Sequence, residues 1–115
     1  MQARTPEEIF GHHAAALMKG DIDEIVADYT EDAVFVTAER VLRGKAGVRE
    51  AFETLLGLVP DAAWDVPVTV YVDDLLLIEW SATSARNDIT DGVDTFVFRD
   101  GLIRAQTVRY IVHPH

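Results

Sequence analysis

The chain has 115 residues, 49% of them hydrophobic and 26% charged, with no cysteine and a formal net charge of -10. That length suits one domain with its own core, and the negative charge argues against phosphate backbones and anionic membranes as partners. Without cysteine there is no disulfide framework, no thiol nucleophile and no thiolate metal site.

The N-terminal MQARTPEEIF lacks the apolar run of a signal peptide, and no segment approaches the ~20 apolar residues of a membrane span. A single domain over residues 1–115, located in the cytoplasm, is the expectation. Thr5-Pro6-Glu7-Glu8 has the form of a capping box and predicts a helix that carries Ile9, His13, Ala16 and Leu17 until Gly20 stops it. Asp21-Ile22-Asp23-Glu24 opens a short second helix with Ile25, Val26 and Tyr29. Asp32 to Thr37 alternates like a strand, with a second extended piece at Val41-Leu42. Val48, Phe52, Leu55 and Leu56 form one stripe of a third helix, from about Lys45 to Leu58, with Pro60 beyond it.

Four strands follow, about 62 to 72, 75 to 86, 90 to 99 and 102 to 112, separated by Asp73-Asp74, Asn87-Asp88 and Asp100-Gly101. Such short connections make antiparallel neighbours. The pattern therefore predicts an α+β domain whose helices cover one face of a curved sheet. Alternation along GVDTFVFRDG places Asp94, Phe96 and Phe98 on one face, a carboxylate in line with two aromatic rings. On the last strand, alternation groups Ile103, Ala105, Thr107, Arg109 and Ile111. Along Leu75 to Arg86 it groups Glu79 with Leu77 and Ser81, opposite Trp80, though a one-residue bulge would exchange the faces.

The stretches GDIDEIVADYTEDAVF at Gly20 to Phe35, LRGKAGVREAF at Leu42 to Phe52 and VDTFVFRDGLI at Val93 to Ile103 resemble the nuclear transport factor 2-like superfamily, and within it the SnoaL-like and ketosteroid isomerase-like groups. The resemblance implies a cone-shaped fold in which a curved, mixed or antiparallel sheet and three helices enclose an apolar pocket. It also implies a homodimer through the convex sheet face, to which Ile78 and Trp80 would belong. At the functional positions of ketosteroid isomerases, Asp94 matches the oxyanion-hole aspartic acid, His13 stands where a tyrosine is usual, and Thr37 stands in place of the general base. Threonine cannot accept a proton at neutral pH, which disfavours a strict ketosteroid isomerase. Glu39, just beyond Thr37, is the nearest substitute base.

A carboxyl group walled by aromatic rings is costly to ionise, and as a neutral acid it can donate to a developing oxyanion. Ketosteroid isomerase is the established example of that use. His13 would be the second donor or a proton shuttle. If His13 were instead a cation beside Asp94, the two would form an ion pair and the carboxylate would stay ionised. Asp94 could also be a structural acid satisfied by His13, a backbone amide or Arg109. Tyr29, Thr37, Trp64, Glu79, Phe96, Phe98 and Arg109 complete the expected pocket, with Arg109 inward by the family alignment.

No metal is predicted, because His12 points about 100° away from His13 around the helix, and His113 and His115 fall in a terminal His-Pro-His expected to be disordered. No cofactor is predicted. Two functions stay open: an isomerase, cyclase or lyase acting on a hydrophobic, polyketide- or steroid-like carbonyl compound, and a non-catalytic dimer that binds an apolar ligand.

Overall fold

The computed structural model describes residues 3–115. Helix α1 (Pro6–Lys19) begins where Thr5 accepts from the Glu8 amide and Glu8 answers to the Thr5 amide, and it ends at Gly20 in a left-handed conformation, φ 68°. Asp21 caps α2 (Ile22–Ala27) through the Glu24 amide. Strand β1 (Tyr29–Val36) follows at once. Tyr29 therefore opens a strand and is not on the second helix as its spacing suggested. After β2 (Val41–Arg43), α3 (Gly44–Leu58) lays Val48, Phe52 and Leu55 into the core.

The remaining strands are β3 (Ala63–Val72), β4 (Leu75–Thr83), β5 (Asn87–Arg99) and β6 (Leu102–Pro114). The six strands form one sheet in the order β2-β1-β6-β5-β4-β3, antiparallel except where β1 runs parallel to β6. The fold is thus the expected α+β arrangement, three helices in the N-terminal half packed on one face of a mixed sheet. Pro67 sits within a register shift on the edge strand β3, where a missing N–H breaks no ladder. Asp73 and Asp100 turn the hairpins with positive φ.

Two bulges decide which side chains face the helices. Thr90 and Val93 pair with Ile111 and Arg109, so β5 carries one extra residue at Asp91-Gly92. Val97 and Phe98 pair with Ala105 and Ile103, so β6 carries one extra residue at Arg104. Asp94 and Phe96 lie between these bulges and Phe98 just past the second, whose extra residue is on β6, so the three keep their common inward face on β5. On β6 the faces exchange after Ile103, and Gln106 and Val108 become the buried residues.

Three expectations are corrected accordingly. Arg109 is exposed on the outer face, because the Arg104 bulge shifts the alternation by one residue. Glu79 is exposed, while Ile78 and Trp80 are buried, since Ile78 pairs directly with the inward Asp94. Ile78 and Trp80 therefore do not form the outer face. The terminal histidines are ordered: β6 runs through His113, whose Nε2 lies 2.7 Å from Thr90 Oγ1, and His115 Nε2 meets Asp88 at 3.0 Å.

Candidate active site

Between the helices and the inner face of the sheet lies a cavity of about 510 Å³. Its walls include His13 from α1, Phe52 from α3, Trp64 from β3, Trp80 from β4, Asp94 and Phe96 from β5, and Gln106 and Tyr110 from β6. The size suits a small molecule of a few fused rings, and the lining is mostly apolar with a few convergent polar groups.

Asp94 is 6% exposed. Trp80 Nε1 donates to its Oδ1 at 2.9 Å, and Gln106 Nε2 donates to its Oδ2 at 3.0 Å. Tyr29 Oη donates in turn to Gln106 Oε1. Burial raises the Asp94 carboxyl to about 7 and outweighs the two hydrogen bonds, which act to lower it. Both partners are neutral, so they orient the carboxylate without supplying a counter-charge.

The indole that makes one of these bonds depends on a glycine. A Cβ at Gly92 would come within 2.4 Å of the Trp80 ring, so only a bare backbone there leaves room for the indole over β5. The bulge at Asp91-Gly92 and the Trp80–Asp94 bond are thus one local device.

His13 lines the same cavity but does not contact Asp94 by a hydrogen bond; the partners of Asp94 are Trp80 and Gln106. The imidazole is 3% exposed and packs against the rings of Phe10, Tyr29, Phe52 and Phe96, with centroids 5.5 to 6.1 Å away. That burial lowers its pKa to about 4. At neutral pH His13 is uncharged, which removes the ion-pair alternative for Asp94. Its Nδ1 is buried with no hydrogen-bond partner among the described residues.

The other expected residues divide. Trp64 and Phe96 line the cavity, and Trp64 lies 5.7 Å from Trp80 between ring centroids. Thr37 and Glu39 are at its rim, where Thr37 Oγ1 accepts from the Glu39 and Arg40 amides and so closes the β1–β2 turn. Glu39 is exposed. Tyr29 and Phe98 are buried but are not cavity wall. Tyr29 stands behind Gln106, and Phe98 stacks on Phe96 at 6.3 Å. Glu79, on the outer face, takes no part. Arg109 reaches only the outer rim. Among the described residues, no group of three or more His, Asp or Glu side chains could hold a metal ion.

Gln106 and Trp80 are cavity residues and partners of Asp94 that sequence reasoning missed. The signal for Trp80 was Gly92, the small residue opposite it; for Gln106 there was none short of locating the Arg104 bulge. A second buried carboxylate was also missed. Asp28, 1% exposed, receives Arg4 Nη1 at 2.9 Å and faces His12 Nδ1 at 2.7 Å. Arg4 Nη2 also donates to the Gly101 carbonyl at 3.1 Å, and His12 Nε2 lies 2.9 Å from Glu24. This cluster ties the N-terminal segment, α1, α2 and the β5–β6 turn together, away from the cavity.

Several solved structures share the fold at identities too low to transfer chemistry. The epoxide hydrolase/cyclase-like enzyme SalBIII, which acts in pyran ring formation in salinomycin, is 20% identical, with 95% of each chain covered and a TM-score of 0.78. A putative polyketide cyclase from Sinorhizobium meliloti is 14% identical over 91% of this chain and 95% of the other, TM-score 0.78. A nuclear transport factor 2-like protein from Burkholderia xenovorans is 19% identical over 90% and 80%, TM-score 0.77. Comparison with curated proteins gave no significant match. No helix among the described residues is long and apolar enough to cross a membrane. Residues 10–106 match the SnoaL-like domain, which is most of the chain, and the protein belongs to that family.

Proposed function

We propose that the protein is a cofactor-free proton-transfer enzyme, an isomerase, cyclase or lyase acting on a hydrophobic carbonyl compound of polyketide- or steroid-like shape. The observation that carries this reading is a lone buried carboxyl at the wall of an apolar cavity, held by two neutral N–H donors and titrating near neutrality. A group with that pKa exchanges protons most effectively at working pH.

The ionised Asp94 takes a proton from the carbon next to the ligand carbonyl. The C–H bond breaks, an O–H bond forms on Asp94, and the electron pair moves to the carbonyl oxygen as an enolate. The neutral His13 is the nearby candidate donor to that oxygen. Its buried Nδ1 has no partner, and an orphaned lone pair costs less than an orphaned N–H, which favours the proton on Nε2. Asp94 then returns the proton at another carbon, or the enolate carbon attacks a second carbonyl within the substrate, whose C=O π bond breaks as the C–C bond forms and whose oxygen takes the proton back from Asp94. In this reading Asp94 is a base and acid in turn, and no separate base at Thr37 is needed.

The test uses 2-tetralone in D2O, with exchange of its α-protons followed by proton NMR. Wild type is expected to accelerate exchange, and Asp94→Asn to lose about 10²-fold or more of that acceleration. Both tryptophans of the chain line the cavity, so quenching of intrinsic fluorescence reports occupancy separately. Quenching without any accelerated exchange would refute the enzyme and leave a ligand-binding protein.

A homodimer through the outer sheet face belongs to the same proposal. Val70, Val72, Leu75 and Val93 are exposed there, on a chain of net charge -10. The face also carries Glu79 and Arg109, neither in an ion pair among the described residues. A two-fold axis would let Glu79 meet Arg109 of the partner subunit, the self-complementarity an isologous interface needs. Sedimentation of wild type against Val72→Lys checks it, with a monomeric wild type as the contrary result.

A further inference from the structure

We propose that Tyr29 is a positioning residue for Asp94: its hydroxyl fixes which end of the Gln106 amide meets the carboxyl, and so holds Asp94 ready to accept a proton. The inference rests on the reading of Asp94 as the proton-transfer group. It concerns a residue that does not touch the cavity.

Tyr29 and Gln106 are each 1% exposed, so water does not compete for their polar atoms. The amide of Gln106 has two ends and stands between two oxygens. In the observed orientation Tyr29 Oη donates to Gln106 Oε1, and Gln106 Nε2 donates to Asp94 Oδ2. Every group is satisfied when Asp94 is an anion, since a carboxylate only accepts.

The inverted amide is the alternative. Gln106 Oε1 would then face Asp94 and accept its O–H, which suits the neutral acid. Gln106 Nε2 would turn to the Tyr29 oxygen. The Tyr29 proton would lose its one acceptor and be left buried and unpaired, which is the costly outcome for a polar group. Tyr29 therefore favours the amide orientation that serves the ionised carboxylate, and it opposes burial, which favours the neutral acid. Burial and the charges of Asp94 and Asp28 keep the phenol protonated, so it remains a donor throughout the working range.

Few other titratable groups face this triad. His13 from α1 is neutral, and the Tyr110 hydroxyl from β6 is kept protonated by burial and by Asp94. The residues that α3, β3 and β4 give to the cavity wall carry none, and Glu39, Arg40 and Arg109 stand at the rim.

The experiment is a carboxyl-carbon NMR titration of Asp94 in the ligand-free protein, in wild type, Tyr29→Phe, Gln106→Met and the double variant. Tyr29→Phe is expected to raise the midpoint by about one pH unit, the equivalent of one buried hydrogen bond. Gln106→Met is expected to raise it as well, and the double variant to rise no further than Gln106→Met alone. An unchanged or lower midpoint in Tyr29→Phe overturns the proposal. So does an equal added rise in the Gln106→Met background, which would mean that Tyr29 acts without the amide.

If Gln106→Met does not fold, wild type and Tyr29→Phe decide by themselves through nuclear Overhauser contacts of the Gln106 amide protons. In wild type these are expected to stay on the Asp94 side at every pH, and in Tyr29→Phe to move toward ring 29 below the midpoint. An amide that keeps its orientation in Tyr29→Phe overturns the proposal. Ligand-free titration also separates this inference from the proposed reaction: 2-tetralone exchange can fail while the relay holds, and the reverse.

Discussion

Asp28 and Asp94 are both buried carboxylates, and they keep opposite company. Asp28 is held by cations or groups that become cations, Arg4 at 2.9 Å and His12 at 2.7 Å, on a site that joins four parts of the chain. Asp94 is held by an indole and an amide, both neutral, and faces a cavity. A buried charge with counter-charges is a fixed tie, and the same charge with only neutral donors is one that can change its protonation state. The shifts agree: the hydrogen bond to Asp28 raises the pKa of His12, whereas desolvation raises that of Asp94 itself.

The largest contrast is expected from replacing each acid by its amide. Asp94→Asn should abolish about 10²-fold or more of 2-tetralone exchange while leaving the fold intact by circular dichroism. Asp28→Asn should leave the exchange chemistry in place and lower stability by about 2 kcal/mol in urea unfolding, through weakened bonds from Arg4 and His12. Equal losses of exchange in both variants would erase the distinction.

A pH series sharpens it. The folded protein holds the Asp94 proton from the ordinary 3.8 up to about 7, so Asp94 makes stability fall as pH rises through that window. His13 does the reverse: it stays neutral from 6.5 down to about 4 in the fold, so stability falls as pH drops through that range. The two slopes oppose each other between pH 4 and 6.5. Relative to wild type, Asp94→Asn should gain stability with rising pH, and His13→Leu should lose it, each by up to about 1.4 kcal/mol per pH unit. Urea unfolding of the three proteins from pH 4 to 7.5 checks both signs.

Gly92→Ala is expected to cost about 1–3 kcal/mol, because the new methyl displaces the Trp80 indole. Losing the Trp80 bond should also push the Asp94 midpoint up further, since that bond now lowers it. An Asp94 midpoint unchanged in Gly92→Ala would show that the indole does not tune the acid.

Much of this arrangement was legible in the sequence, for local reasons. The capping box at Thr5 and Glu8, the stop at Gly20 and the third-helix stripe are short-range signals, and the first and third helices fall within a residue of their expected bounds. Asp94, Phe96 and Phe98 were correctly grouped because no bulge interrupts them. The polar partners of Asp94 were not legible. Strand β4 has apolar residues on both faces, Leu75 and Leu77 outside against Leu76 and Ile78 inside, so alternation does not tell which side Trp80 takes. One extra residue at Arg104 exchanges the faces of β6, turning Gln106 inward and Arg109 outward. His13 was found, but its link to Asp94 was inferred from resemblance, and three-dimensional packing gives it aromatic neighbours instead.

The proton-transfer role turns on the protonation of one side chain, Asp94, in the wild-type protein. A carboxyl-carbon NMR titration of Asp94 in the absence of ligand measures it directly. A midpoint near 7 is expected, from burial among neutral donors. A midpoint at or below the ordinary 3.8 would mean that Asp94 is an ionised, structural acid at neutral pH, and would contradict the proton-transfer role.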